Sequence, residues 1–215
     1  MKKKIIIALL ALVVVFLLCK IINFVIINKT YKAIENFKEN SNRYYSARIK
    51  RLNEDYTEKI FLNNEVVKYV FLNDNENLYC EWKNTNTNEY YYINVMGKVV
   101  STSESVTIYR DRILMNLPII ISNIYYSDNK NILSFLKIKY ILPTKYEDKI
   151  CFKIITDSEI LIIDAKTYLP KYVLRNPIDS NNKEMKTEIF YEFEIDTVTE
   201  EDVELPDLSR YQKIE

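Results

Sequence analysis

The chain has very little of several residue types on which common functional sites depend. Its 215 residues include five prolines, three cysteines, one glycine and no histidine. Without histidine there is no Ser/His or Cys/His catalytic pair and no imidazole ligand for a metal. Because Gly97 is the single glycine, the chain contains neither a G-x-G-x-x-G dinucleotide turn nor a P-loop. We therefore expect a protein that is not an enzyme and that holds no metal or cofactor.

Net charge is low as well, with 30 basic and 30 acidic side chains. Four lysines lie within residues 1–27, which contain no acid, so residues 28–215 carry a net charge of −4. A weakly acidic domain without a basic stripe is a poor match for a phosphate backbone. We expect no nucleic-acid partner.

The most informative feature that the chain does have is an apolar run at residues 5–27, which begins with Ile5, ends with Ile27 and follows three lysines. At 1.5 Å per residue this run reaches about 34 Å, enough to cross a hydrocarbon core of about 30 Å. Lysines flanking a span favour the cytoplasmic side. The sequence thus predicts cytoplasmic lysines and a transmembrane signal anchor in residues 1–29, and one extracytoplasmic domain in residues 30–215.

Two alternatives to a retained anchor fit less well. A cleaved signal has a shorter apolar region followed by small residues, whereas this run continues to Ile27 with no A-x-A pattern after it. A lipoprotein signal would place a small residue before Cys19, which instead follows Phe16 and two leucines. Lys20 and Asn23 interrupt the run near its outer end, where they are either tolerated by snorkelling or in contact with a partner helix.

Hydrophobic spacing in residues 30–215 predicts an α+β fold. Apolar residues repeat at helical spacing in residues 30–42 and 103–116, and residues 117–126 are strongly apolar. Alternation with period two predicts strands elsewhere, with turns at Asn63-Asn64, at Gly97 and at residues 143–145, and a polar, acidic segment from residue 197. The predicted strands are residues 44–52, 57–62, 65–72, 77–83, 89–95, 98–102, 135–142, 149–156, 159–164, 170–175 and 187–196.

Aromatic side chains supply the candidate binding residues. Trp82, Tyr90 and Tyr92 lie in predicted strands and could line a ligand groove, since aromatic rings offer a large contact area. Successive strand residues point to opposite faces, so Tyr90 and Tyr92 share one side. Ordinary packing of aromatic residues within a sheet gives the same pattern.

Two other groups of residues are candidate sites. Glu192, Glu194 and Asp196 alternate along one strand, a spacing more typical of a solvated sheet face than of converging calcium ligands. Cys80 and Cys151 each lie in a predicted strand. Their pairing as a disulfide stays open, because a bridge requires Cα atoms about 4.4–6.8 Å apart.

The last third of the chain carries a motif: a strand ending in Asp164, then Thr167 and Pro170, then a hairpin and a second strand at residues 190–196. This D-x-x-T-x-x-P turn with its returning hairpin resembles the lipoprotein-carrier-like (LolA-like) family, here as a membrane-anchored bacterial member. Tyr168 occupies a position at which the family has glycine. The resemblance implies a strongly curved antiparallel sheet, an incomplete β-barrel with packed helices, whose relatives hold acyl chains or other apolar ligands.

These observations lead to two functional hypotheses. The first is a membrane-anchored extracytoplasmic domain that binds an apolar or lipid ligand or a cell-envelope protein. The alternative is an accessory or sensor subunit of a membrane complex, whose anchor docks a membrane protein partner and whose sheet is a scaffold.

Overall fold

A computed structural model describes residues 2–51, 54–73, 76–102, 117–121, 138–175 and 186–214. These residues form one long helix, α1 (Lys2–Glu39), and a twelve-stranded sheet. The strands are β1 (Asn42–Arg51), β2 (Glu54–Asn63), β3 (Val66–Asn73), β4 (Glu76–Asn84), β5 (Glu89–Asn94), β6 (Val99–Ser101), β7 (Tyr140–Tyr146), β8 (Lys149–Ile155), β9 (Glu159–Asp164), β10 (Pro170–Arg175), β11 (Thr187–Ile195) and β12 (Gln212–Ile214).

The sheet consists of two meanders joined at β1. Its strand order is β12-β6-β5-β4-β3-β2-β1-β11-β10-β9-β8-β7. Neighbouring strands are antiparallel except β12 and β6, which are parallel. Pairing of β1 with β11 brings together segments that lie about 150 positions apart, for example Tyr45 opposite Phe193. Each of the eleven predicted strands has a counterpart, and ten of them are shifted by at most three residues at either end. The strand predicted at residues 135–142 is displaced further along the chain, since β7 begins at Tyr140 and ends at Tyr146, and residues 135–137 lie outside the described residues.

The predicted α+β class, in which several helices pack on a strongly curved incomplete barrel, is wrong. The described part of the chain is one open twelve-stranded sheet with α1, two short 3₁₀ turns, Glu201–Val203 and Leu208–Arg210, and three helical residues at 119–121. Period-two alternation dominates the sequence after residue 42, and that alternation builds strands rather than helices. The helix predicted for residues 103–116 lies outside the described residues.

Helix α1 continues without interruption from the apolar run into the predicted amphipathic segment and ends at Glu39 rather than at residue 42. Its second half packs on one face of the sheet, which we call the α1 face. The buried residues on this side of α1 recur at helical spacing: Asn23, Ile26, Ile27, Thr30, Ile34 and Phe37. They join a cluster that includes Tyr45, Ala47 and Ile49 of β1. The main core therefore lies between α1 and the sheet.

The opposite face of the sheet is partly covered by the C-terminal segment, residues 197–214. Leu205, Leu208 and Tyr211 pack against a second cluster formed by Val70, Cys80, Ile93 and Val100. The same segment ends in β12, which the sequence did not predict because this strand is only three residues long. Val198 and Val203 of the segment are buried as well.

The turns confirm some expectations and change others. Asn64 adopts a positive φ of 52°, as a hairpin turn at Asn63-Asn64 requires. At the turn that contains Gly97, it is Lys98 that takes the positive φ, 50°. The turn predicted at residues 143–145 instead lies at Glu147 and Asp148, because β7 continues through Pro143. An edge strand such as β7 tolerates proline, since one side of it has no partner strand.

Candidate functional site

The α1 face of β2 to β5 carries a continuous group of aromatic side chains, which we call the aromatic wall. Neighbouring rings have centroid separations of 5.0–5.8 Å, and the closest pair, Phe71 and Tyr79, stacks at 9°. Residues opposite one another in antiparallel strands share a face, and the register Tyr45, Ile60, Tyr69, Glu81, Tyr92 places all of them on the side of α1. The aromatic wall consists of Tyr56, Tyr69, Phe71, Tyr79 and Tyr92.

Four of these five side chains are half-buried, and Tyr69 is fully buried. Tyr69 belongs to the main core, and Tyr56, Phe71 and Tyr79 pack against that core. Two contacts of α1 lie elsewhere on the sheet: Phe37 meets Phe193 of β11 edge to face, and Lys29 meets Tyr168 just before β10. The aromatic wall is thus an apolar surface within the α1 face that these contacts of α1 do not include.

Polar groups lie among the aromatic rings. Glu81 of β4 is 1% exposed and lies opposite Tyr92. Burial raises the pKa of Tyr45 well above its usual value, with smaller contributions from Tyr191 and from the carboxylate of Glu58. Burial likewise raises the pKa of Tyr56. Tyr45 is 0% exposed and belongs to the main core, whereas Tyr56 is half-buried within the aromatic wall.

The structure separates the three predicted groove residues. Tyr90 and Tyr92 lie on the α1 face, where Tyr90 is buried and Tyr92 belongs to the aromatic wall. Trp82 lies on the opposite face, where its ring is tilted by 53° against that of Tyr91, and its Nε1 donates a hydrogen bond of 2.7 Å to the carbonyl oxygen of Val203. Trp82 thus holds the C-terminal segment on the sheet.

The sequence did not indicate four members of the aromatic wall, Tyr56, Tyr69, Phe71 and Tyr79. Tyr69, Phe71 and Tyr79 lie in predicted strands, so the face of each could be assigned within its own strand, whereas Tyr56 precedes the strand predicted at residues 57–62, which begins earlier, at Glu54. What could not be assigned was the pairing of strands that brings the rings together, because register between strands depends on the turns that connect them.

A polar cleft of about 570 Å³ lies on the opposite face, over β1 and β11. Its walls mix charges of both signs, with the carboxylates Glu147, Glu192 and Glu194 facing several lysines. Arg48 in this cleft is held by a bidentate ion pair to Asp55, with contacts of 2.9 and 2.6 Å. The remaining basic residues that line the cleft are Lys50, Lys59, Lys149 and Lys171.

The carboxylate row of β11 follows the sequence expectation in part. Glu192 and Glu194 line the polar cleft, whereas Asp196 lies beyond the end of β11 with a positive φ of 59°. Among the residues that the structure describes, no group of three or more acidic or cysteine side chains is arranged to hold a metal ion.

Cys80 and Cys151 are both free thiols in the structure. Cys80 belongs to the cluster beneath the C-terminal segment, and Cys151 lies in β8 opposite Thr144 and Asp164. Six strands of the sheet separate β4 from β8. Each thiol therefore acts as a small buried side chain.

Near the apolar end of α1, two polar residues turn toward the sheet. The ammonium of Lys20 donates a hydrogen bond of 3.0 Å to the carbonyl oxygen of Ile138 and lies 5.5 Å from the centroid of the Phe16 ring. Asn23 is buried one turn further on. In the described part of the chain, α1 is one helix long and apolar enough to cross a membrane.

No protein-family model matches the chain, and no curated protein matches it. Similar solved structures include MucB in complex with MucA(peri), at 8% identity and a TM-score of 0.42, covering 87% of this chain and 62% of that one. They also include the MucA/MucB complex of Pseudomonas aeruginosa, at 9% identity and a TM-score of 0.41, covering 86% and 64%. A LolA superfamily protein from Nitrosomonas europaea matches at 8% identity and a TM-score of 0.27, covering 81% and 96%.

The neighbours thus include a member of the superfamily that the D-x-x-T-x-x-P motif resembles. This chain spans less than two thirds of the length of the MucB chains. All of these TM-scores are below 0.5.

Proposed function

We propose that this protein is a non-enzymatic, membrane-anchored binding domain on the extracytoplasmic side of a bacterial cell membrane. Residues 1–29 supply the cytoplasmic lysines and the transmembrane anchor, and residues 30–215 form the binding domain. Its ligand is an apolar molecule such as a lipid, or an apolar segment of a cell-envelope protein. Its binding surface is the aromatic wall.

The aromatic wall is the observation that carries this proposal. Five rings on four adjacent strands form one apolar surface, and aromatic rings give large contact areas at low entropic cost. The half-buried side chains of Tyr56 and Tyr79 each add a hydroxyl to this surface, a combination typical of sites that orient a mainly apolar ligand. Tyr92 was a groove residue in the sequence prediction as well.

A second candidate function is supported by α1. Because α1 passes unbroken from the apolar run into the core, the sheet cannot swing freely on a flexible linker. A domain fixed in this way would suit an accessory or sensor subunit that transmits a change across the membrane to a partner. The bond from Lys20 to Ile138 occurs within the chain, so it supports rigidity rather than docking of a partner helix.

The test should use the full chain. A protein that starts at residue 28 would lack Asn23, Ile26 and Ile27, which are buried in the core. We would incubate membranes containing the full chain with a diazirine derivative of palmitate, irradiate them, and map crosslinked peptides by mass spectrometry. Binding at the aromatic wall predicts crosslinks in β4 and β5, and loss of those crosslinks in Tyr92→Ala.

Tyr91→Ala is the matched control, because Tyr91 is the next residue of β5 and lies on the opposite face. Crosslinking that survives in Tyr91→Ala and is lost in Tyr92→Ala would support the binding proposal. Equal crosslinking in Tyr92→Ala and in the unmodified chain would contradict the binding proposal and favour the accessory-subunit function.

A further inference from the structure

Exposed apolar side chains cluster where α1 first meets the sheet. Ile21, Ile22, Phe24 and Val25 face away from the sheet and are 43–58% exposed. Their neighbours Lys20, Asn23 and Ile26 face the sheet instead. This short stretch of α1 is therefore apolar on its free side while its other side already belongs to the folded domain.

The ammonium of Lys20 shows how far the sheet reaches along α1. Side chains of a helix lean toward its N-terminus, and Lys20 does so, since its Nζ lies over the ring of Phe16, one turn earlier. The same Nζ donates to the carbonyl oxygen of Ile138, two residues before β7. Ile138 thus lies level with the turn of α1 between Phe16 and Lys20.

The apolar part of α1 that precedes Lys20 is too short to cross a bilayer by itself. From Ile5 to Cys19 there are 15 residues, which span about 22 Å as a helix. A hydrocarbon core measures about 30 Å, so roughly 8 Å more of α1 must lie within it, which reaches about as far as Val25. The residues that complete the span are then the exposed ones named above.

Because Ile138 is level with Phe16 and Lys20, any bilayer that surrounds Ile22 and Phe24 also reaches the start of β7. Tyr140 is 62% exposed there. The ion pair between Lys139 and Asp157, 2.5 Å long and exposed, suits the headgroup layer and limits the depth. Tyrosine is enriched at this boundary.

We propose that the corner of the sheet where β7 begins is seated in the outer leaflet of the bilayer, with lipid covering Ile22, Phe24 and Tyr140. This inference rests on the proposed transmembrane anchor but not on the aromatic wall. The depth of insertion is on the order of 5–10 Å below the headgroup boundary, as for interfacial protein segments. The domain is then partly embedded in the membrane rather than standing above it.

Spin labels report this depth directly. In a Cys19→Ser background the remaining cysteines are buried, so single labels can be attached at Leu12→Cys, Ile22→Cys, Tyr140→Cys and Asn36→Cys in the full chain reconstituted in phosphatidylcholine vesicles. Molecular oxygen concentrates in the bilayer interior and a water-soluble nickel chelate stays outside. The relative accessibility of each label to the two reagents gives its depth.

We expect labels at Leu12, Ile22 and Tyr140 to be relaxed mainly by oxygen, and the label at Asn36, about 21 Å further along α1 than Ile22, mainly by nickel. A Tyr140 label that behaves like the Asn36 label would overturn the proposal while leaving the anchor intact. An Ile22 label shielded from both reagents would also overturn it, because protein rather than lipid would cover α1. A Leu12 label in water would overturn the anchor itself, and with it the seating.

Discussion

Glu159, at the first position of β9, connects three parts of the chain through one buried carboxylate. Its two oxygens accept hydrogen bonds of 2.9 Å from the N–H groups of Ile119 and Ile120. Arg175 of β10 places its Nε 3.7 Å from the same carboxylate. Since Glu159 is 2% exposed, water cannot replace these partners without opening the structure.

Glu159→Gln should therefore destabilise the protein. The substitution keeps the shape but removes the charge opposite Arg175 and one of two acceptors, so we expect a loss of about 2–4 kcal/mol. Urea denaturation of the full chain in detergent, followed by circular dichroism, measures the change. Glu54→Gln breaks an exposed ion pair with Arg51 and should have no resolvable effect. A similar midpoint for both variants would contradict the assigned role.

Asp164 organises the turn of the D-x-x-T-x-x-P motif. Its Oδ1 accepts hydrogen bonds of 2.8 Å from the N–H groups of Lys166 and Thr167. Tyr168 in this turn has a positive φ of 59°, which explains why glycine would suit that position. The ring of Tyr168 stacks on Phe152 with a centroid separation of 6.1 Å, and this contact offsets part of the cost of the positive φ.

This turn predicts a pH dependence of stability. Burial raises the pKa of Asp164, but the hydrogen bonds from Thr167 and Lys166 outweigh burial and hold it below 3.8. A carboxyl whose pKa is lower in the folded state stabilises that state above its unfolded pKa, and this stabilisation is lost as the pH falls through the folded pKa. Asp164→Asn should lower the urea midpoint at pH 7 more than at pH 3.

The control for this pH dependence is Lys166→Ala, which changes an exposed side chain in the same turn but keeps both N–H groups. It should follow the unmodified chain at both pH values. If Asp164→Asn lowered the midpoint equally at pH 7 and pH 3, the ionised carboxylate would not be what stabilises the turn.

At the scale of elements, α1 serves two environments along one continuous helix. Its first half is apolar all round, and its second half is apolar only on the side that meets the sheet. Both properties were visible in the sequence. The packing of Ile26 and Ile27 into the core was not visible there, because both residues belong to the apolar run that the sequence assigned to the membrane.

A pair of isoleucines in α1 tests this division. Ile27 is fully buried, so Ile27→Ala should cost about 2–4 kcal/mol through lost burial and the cavity left behind. Ile22 is 55% exposed on the other side of α1, and Ile22→Ala should leave the unfolding of the sheet unchanged. Thermal unfolding of both variants in detergent compares them. Equal effects would mean that α1 does not pack as described.

Sheet elements were predicted well, and the site only in part. Alternation identified eleven strands, and asparagine turns such as Asn64 fixed the hairpins between neighbours. β12 was missed because it is three residues long and pairs with a strand more than a hundred positions away. Trp82 was grouped with Tyr90 and Tyr92 because aromatic character alone does not show that a C-terminal segment will cover one face.

For the whole molecule, the order of the strands decides the state of the cysteines. With six strands between β4 and β8, and strands about 4.8 Å apart, the two thiols have no reason to meet. We expect three free thiols, at Cys19, Cys80 and Cys151, in protein unfolded in non-reducing buffer and alkylated with iodoacetamide.

Intact mass counts the alkylated thiols. Before unfolding, Cys80 should react slowly, because burial raises its pKa to about 11 and hides the sulfur. A chain with a single alkylated thiol, whose mass is two units lower than that of the fully reduced chain carrying one alkyl group, would show a bridge between Cys80 and Cys151. That result would contradict the strand order.

By itself the sequence determined the apolar helix at the start, the positions of most strands and their hairpin turns, and the absence of common catalytic parts. Those properties are local, since they depend on composition, period and turn residues within short segments. Tertiary structure alone decided that β1 pairs with β11, that half of α1 enters the core, and which face carries the aromatic wall. These features depend on contacts between distant segments. The side chains of a strand alternate between its two faces, and the segments that pack on the sheet decide which face is buried.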